Sequence, residues 1–299
     1  GHPVTIIDTK GLELKDYDTI AGELTDVIDT RSHSEDENQH IHVAWLCIHE
    51  DGRRVEEAEI ELCRLFADKK IPVVVVITKS RSDNGFSEEV RQTITSAAAI
   101  ISVRALAEEL DDDGDSITLK PKGIDKLIVE TARLLPEAKK RAYANALSSR
   151  HVAATRLKIE QAEKEVIFAA TAAGAVAAVP IPFSDAVGLV PVQVGMLAKI
   201  GITFGMEIST TALTTLVTST LGAGAATLIG RTLVTGLLKM IPGAGSVVGG
   251  TIAAATASAL TKALGSAYIS VLSSFIEQNP DKELDMTLIA AELKKRISL

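Results

Sequence analysis

What most constrains this chain is a strict alternation over its first 136 residues. Four short aliphatic runs, Val4–Asp8, Val43–Ile48, Pro72–Thr78 and Ile100–Val103, are separated by intervals that each hold a helical pattern. The intervals read as helices around Asp16–Asp29, Val55–Lys69 and Ser87–Ala98, and a further helix, Ile124–Leu134, follows Gly123. The third interval opens with a capping-box-like Ser87-Glu88-Glu89-Val90. Runs that are apolar throughout, rather than at every second position, belong to strands covered on both faces. Strands joined through helices are parallel and connected by right-handed crossovers. The expected fold class of this half is therefore α/β.

After Pro136 the character changes. A charged helical run extends to Glu165, and Ala-, Gly-, Val- and Thr-rich stretches then continue to about Ser270, broken at Pro180, Pro182, Pro191 and Pro242. Asn279-Pro280-Asp281 introduces a last amphipathic helix, Met286–Ile297. Aromatic residues make up only 3% of a chain that is 46% hydrophobic, so the apolar content is small and aliphatic and suits close helix packing. The expected division is an α/β domain over residues 1–136 and an all-α, Ala/Gly-rich hydrophobic domain over 137–299. Val166–Val179, Thr210–Ile229 and Val247–Leu264 raise the question of a bilayer, where a span takes about 20 apolar residues. Their Ala, Thr, Gly and Ser content is near neutral for insertion. The reading is a closely packed bundle first, reversible membrane docking or insertion second and permanent spanning last.

The net charge of -8 is uneven: residues 1–150 carry 20 basic and 29 acidic side chains, the remainder 11 and 10. Without a basic face the chain has no footprint for a phosphate backbone, so nucleic acid is excluded as a partner. Cys47 and Cys63 read as two buried free thiols of a reducing cytoplasm. The acidic stretch Asp111–Asp115 lacks the distal Glu of a calcium loop and reads as a solvated loop. His40 and His42 alternate into a strand with no third ligand, which makes a solvated strand edge rather than a metal site.

Three signals fall at strand ends. Asp8-Thr9-Lys10-Gly11 follows the first run, Thr78-Lys79 ends the third and Ser102-Val103-Arg104 ends the fourth. An Asp-x-x-Gly at a strand end can hold magnesium, usually through water, and the bare Gly lets backbone approach a terminal phosphate. In this order the three resemble the Ras-like GTPases of the TRAFAC class. The resemblance implies a parallel P-loop NTPase sheet, guanine nucleotide (GTP or GDP) and magnesium as ligands, and GTP hydrolysis in a complete domain. Asp8 would serve magnesium and Gly11 the phosphate, Thr78 and Lys79 the base, and Ser102, Val103 and Arg104 would offer backbone to the guanine oxygen. The family's base-reading Asp position holds Arg81, which accepts no hydrogen bond, and Asp83 two places on is the substitute. The phosphate loop Gly-x-x-x-x-Gly-Lys-Ser/Thr occurs nowhere in the 299 residues, and Gly243–Gly250 reads as a turn or helix contact. The sheet is thus expected to be incomplete, with a slot between Val4–Asp8 and Val43–Ile48. Residues upstream of Gly1 are the expected source of the missing strand, and little nucleotide affinity is expected from these residues on their own.

The second half resembles a GTPase-associated family, domain of unknown function 697, through Gly123-Ile124-Asp125-Lys126-Leu127, Leu134-Leu135-Pro136-Glu137-Ala138, Val179–Asp185, Gln193-Val194-Gly195-Met196, Ile241–Gly250 and Thr261-Lys262-Ala263-Leu264-Gly265. This implies a helical domain appended to a G domain and linked with membranes. The expected protein is a cytoplasmic regulatory GTPase, peripheral at a membrane, whose residues 150–270 engage a membrane surface, a protein partner or a second copy. The alternative is a module of GTPase ancestry that binds no nucleotide and acts as a structural or membrane-interaction element.

Overall fold

The computed structural model describes residues 4–9, 17–112, 115–177, 184–218, 252–280 and 282–298. They fall into two compact units, Val4–Lys140 and Arg141–Leu299. In chain order the first holds α1 (Tyr17–Ser32), β1 (Ala44–His49), α2 (Glu57–Asp68), β2 (Val73–Thr78), α3 (Phe86–Thr93), β3 (Ala99–Ser102), β4 (Glu108–Asp112), β5 (Asp115–Leu119) and α4 (Ile124–Leu134). Helix α5 (Glu137–Ala146) precedes the helices of the second unit: α6 (Val152–Ala177), α7 (Ser184–Phe204), α8 (Thr210–Val217), α9 (Ile252–Gln278) and α10 (Met286–Ser298).

Strands β1, β2 and β3 form a parallel sheet in that order, with β2 central. The valines and the isoleucine of Val73–Ile77 are all buried, because β2 is covered on both faces. Alternation sorts them: Val73, Val75 and Ile77 join Cys63 of α2 and Phe86 and Val90 of α3 on one side. Val74 and Val76 join Leu127 of α4 on the other. Trp45 faces the α4 side and donates from Nε1 to Thr131 Oγ1 (3.1 Å).

Several expectations change here. Val4–Asp8 is unpaired chain rather than a strand: an apolar run becomes a strand only with a ladder partner, and Ile6 is 86% exposed. The sheet consequently has three strands and no internal slot, and β1 forms an edge without a partner strand among the described residues. Cys47 is exposed on that edge, whereas Cys63 is buried as expected. Around the acidic stretch the chain makes an antiparallel hairpin of β4 and β5 rather than a loop alone. Helix α3 is also shorter than its sequence pattern, since β-branched Ile94 leaves the helix to bury its side chain in the core.

The second unit is helical. α6 lies along α9 and α7, and close approach depends on missing side chains: a Cβ on Gly265 would stand 2.5 Å from Val166 Cγ2 and 3.0 Å from Met196 Sδ. Gly265 therefore sits inside α9. Among the described residues one helical stretch, Ala254–Gln278, is long and apolar enough to cross a membrane, and 56% of its apolar window is buried inside the unit. Three stretches singled out in the sequence, residues 179–183, 219–229 and 241–250, lie outside the described residues.

Candidate functional site

In an open parallel sheet, ligands bind beyond the carboxyl ends of the strands. Two of the three sequence signals meet there. Beyond the β2–β3 ladder, Val103 N donates to Ile77 O (2.8 Å) and Ser80 N to Val103 O (3.0 Å), which holds the two loops side by side. Arg104 is buried and joins them further: its Nη1 donates to Ser80 O (2.8 Å) and its Nε to Lys120 O (2.8 Å). Thr78 Oγ1 donates to Ile48 O (3.2 Å), tying the end of β2 to β1. Lys79 is exposed and makes no hydrogen bond or ion pair among the described residues.

The loop after β2 is held by charged side chains from several directions. Glu50, directly after β1, is buried, and its Oε1 accepts from the backbone N–H of Arg81 (2.9 Å), Ser82 (3.0 Å) and Asp83 (3.1 Å). Burial alone would raise this carboxyl, but the three amides, with the Ser80 side chain close by, outweigh it and hold Glu50 below its ordinary 4.5. On the carbonyl side, Arg53 binds Asp83 O, Arg104 binds Ser80 O and Lys122 Nζ binds Arg81 O (3.2 Å). Lys79, Asp83 and Asn84 all adopt left-handed backbone, with φ of 51°, 58° and 43°.

Two sequence-selected side chains have partners of their own. The Asp83 carboxylate accepts from Ser87 N and Ser87 Oγ, both at 2.8 Å, and so satisfies an N–H in the first turn of α3, whose N-cap is Gly85. Arg81 places Nε 3.1 Å from both oxygens of Glu108, adds a short Nη2 bond to Oε1, and has Nη1 3.6 Å from Asp51. The Glu108 hydrogen bond, then the Asp51 charge, raise the Arg81 pKa, and the Arg81 hydrogen bond lowers that of Glu108.

Asp8 is not brought into this constellation. It lies exposed on unpaired chain near the β1 edge, where desolvation and then the Asp8 charge raise the Cys47 thiol. Gly11 lies outside the described residues. No group of three or more His, Cys, Asp or Glu side chains suited to a metal occurs among the described residues. A lone exposed carboxylate fits only a magnesium whose other ligands are water and phosphate.

Sequence reasoning passed over Glu50, Arg53, Glu108 and Lys122. The available signal for Glu50 was its position, an acidic residue immediately after an apolar strand and before Asp51-Gly52. A lowered Glu pKa means the clamp's contribution is present in full above the unfolded value and is lost as pH falls through the folded one. The amide resonances of Arg81, Ser82 and Asp83 should therefore stay unchanged as pH falls from 7 to the ordinary Glu value of 4.5 and shift only below it. Loss of those resonances already between pH 7 and 5 would contradict the clamp.

Taken together, the chain is an α/β unit with a small parallel sheet, followed by a helical unit. Residues 143–296 match the family described as Domain of unknown function (DUF697), and the chain belongs to that family. The match lies within the second half, so Gly123–Leu127 and Leu134–Ala138, read from sequence as part of the same resemblance, fall before it. No curated protein and no solved structure matches the chain.

Proposed function

We propose that the chain is a guanine-nucleotide-binding regulatory protein whose helical unit engages a membrane surface or protein partner. The observation that carries this reading is the meeting of the Thr78–Asp83 and Ser102–Arg104 loops at the carboxyl edge of a parallel sheet. Lys79, exposed and near enough to Glu108 for its charge to lower that carboxyl, has a stem to lay on the base. Backbone of Ser102, Val103 and Arg104 would face the guanine oxygen, with the Val103 and Arg104 amides, which now donate to Ile77 O and Lys122 O, having to be shared or released. Asp83 would accept from the ring nitrogens in competition with Ser87, which now holds both of its oxygens. Asp8 would hold magnesium through water and Gly11 would approach the phosphate. Hydrolysis needs a Gly-x-x-x-x-Gly-Lys-Ser/Thr loop, which these 299 residues lack.

The pairing of Arg81 with Glu108 and Asp51 favours a second reading, a module that binds no nucleotide and works through its helices. Amide chemical-shift mapping separates the two, with the full chain and magnesium titrated in turn with GTP, ATP and inorganic triphosphate. The first reading expects shifts at Thr78–Asp83 and Ser102–Arg104 that GTP produces at lower concentration than ATP. Equal response to all three, or none, removes it, and flotation of the full chain with liposomes, with or without GTP, would then support the second.

A further inference from the structure

The loop from Lys79 to Asn84 holds three non-glycine residues in left-handed backbone, a conformation that costs on the order of 1 kcal/mol or more at each. Such strain persists only where the surroundings over-determine the shape. A surface loop ordinarily satisfies its backbone with water. Here one carboxylate oxygen takes three consecutive amides, and three cations take the carbonyls of Ser80, Arg81 and Asp83. Consecutive amides converging on one point form an anion-binding nest, and the anion in this one is the chain's own Glu50. A buried carboxylate is costly to desolvate; the three amides on Oε1 offset part of that cost, while Oε2 is buried with no hydrogen-bond partner among the described residues. The cations come from separate places: Arg53 after β1, Arg104 after β3 and Lys122 ahead of α4. Losing any one of them leaves two carbonyl anchors; losing Glu50 releases all three amides at once.

We propose that Glu50 is the positioning residue of this loop, fixing the backbone from which Lys79 and Asp83 would meet a nucleotide base. The inference rests on the nucleotide reading only for its second half. Glu50 touches no ligand in this scheme. It acts through the Arg81–Asp83 amides, which set the path of the chain on either side of Arg81.

The test uses the full chain with Glu50→Ala and Glu50→Gln, the latter retaining a neutral acceptor in the same place. Two quantities are read: hydrogen exchange at individual amides without ligand, and GDP affinity by calorimetry with magnesium. Glu50→Ala should speed exchange at Arg81, Ser82 and Asp83 about tenfold or more while Val74 and Val76 in β2 keep their protection. Glu50→Gln should fall between it and wild type. GDP affinity should drop about tenfold in the first variant and partly recover in the second. Unchanged exchange at the three amides overturns the proposal, and so does equal acceleration throughout β2, which would make Glu50 a general support of the fold. Faster exchange with unaltered GDP affinity overturns the link to ligand. If wild type itself binds no GDP, the nucleotide reading fails, while the exchange arm still decides whether Glu50 positions the loop. Should Glu50→Ala not fold, Glu50→Gln alone carries the comparison.

Discussion

Replacing Lys158 with Met should stabilise the helical unit by about 3 kcal/mol at pH 7. Lys158 lies on α6 with only 2% of its surface exposed, and among the described residues its Nζ has one long hydrogen bond, 3.5 Å, to Phe204 O. That carbonyl is at the end of α7, where Gly205 turns left-handed and Met206 N reaches back to Gly201 O (2.9 Å). The helix end offers the ammonium a partial negative charge worth at most about 1–2 kcal/mol. It does not compensate for the water lost, and burial lowers the Lys158 pKa from its ordinary 10.5 to about 8. Between those two values the unfolded chain keeps a proton that the folded chain gives up, so stability rises with pH across that window. Below about pH 8 both states carry the proton and the full penalty stands. Met fills nearly the same volume without a charge, and such exchanges of buried ions for apolar groups are often stabilising. Chemical denaturation at pH 7, 9 and 10.5 gives the check. Lys158→Met should start higher and wild type should close the gap along that series, the difference between the two being what is read, because buried Tyr268, whose hydroxyl burial pushes up, costs both proteins stability as pH passes its ordinary 10. A variant less stable than wild type at pH 7 would show that the ammonium supports α7 more than its burial costs.

The elements that were legible in sequence are those whose residues can do only one thing. Val73–Ile77 is too uniformly β-branched for a helix and too apolar for an edge, and it became the central strand. The same composition misled at Val4–Asp8, because a run of aliphatics announces a strand without saying whether a partner lies beside it. The β4–β5 hairpin was hidden by its own carboxylates: four Asp around Gly114 read as a loop, though Leu110 pairs with Ile117 across it. In the helical unit Pro191 read as a break yet lies inside α7, and Gly265 lies inside α9, where Val166 and Met196 occupy the space a side chain would take.

The candidate site was legible to a different degree. Strand ends could be found from periodicity, so Thr78–Lys79 and Ser102–Arg104 were located correctly as neighbours of the sheet's carboxyl edge. The charges that shape the loop could not. Glu50, Arg53 and Lys122 look like ordinary polar residues in three distant segments, and only the crossovers of the sheet bring them to one loop. Arg81 likewise reads as a defect in a base-binding pattern until its partner Glu108, from the unforeseen hairpin, is placed opposite.

The same edge of the sheet yields the other large effect expected from a single substitution. Gly123→Ala should lower the thermal midpoint of the α/β unit by about 10 °C, corresponding to about 3 kcal/mol. Gly123 opens α4 with φ of 84°, and a Cβ built there would stand 2.1 Å from Ser102 O and 3.1 Å from Val103 Cα. Two costs therefore add: left-handed backbone for an L-residue, about 1–2 kcal/mol, and an overlap with main chain that no rotamer change relieves. Gly52→Ala is the control, since its Cβ meets nothing within 4 Å and its backbone carries no such positive φ. It should fall within about 0.5 kcal/mol of wild type. The damage from Gly123→Ala should also travel. The atoms displaced belong to Ser102 and Val103, and neighbouring Lys122 is bridged to Arg104 and binds Arg81 O. Amide shifts at Ser80, Val103 and Arg104 should move well beyond those around α2, even at temperatures where the unit stays folded. A Gly123→Ala protein with wild-type midpoint and unmoved Val103 would mean that α4 does not begin against the Ser102 carbonyl, and the coupling of α4 to the two loops would fall with it.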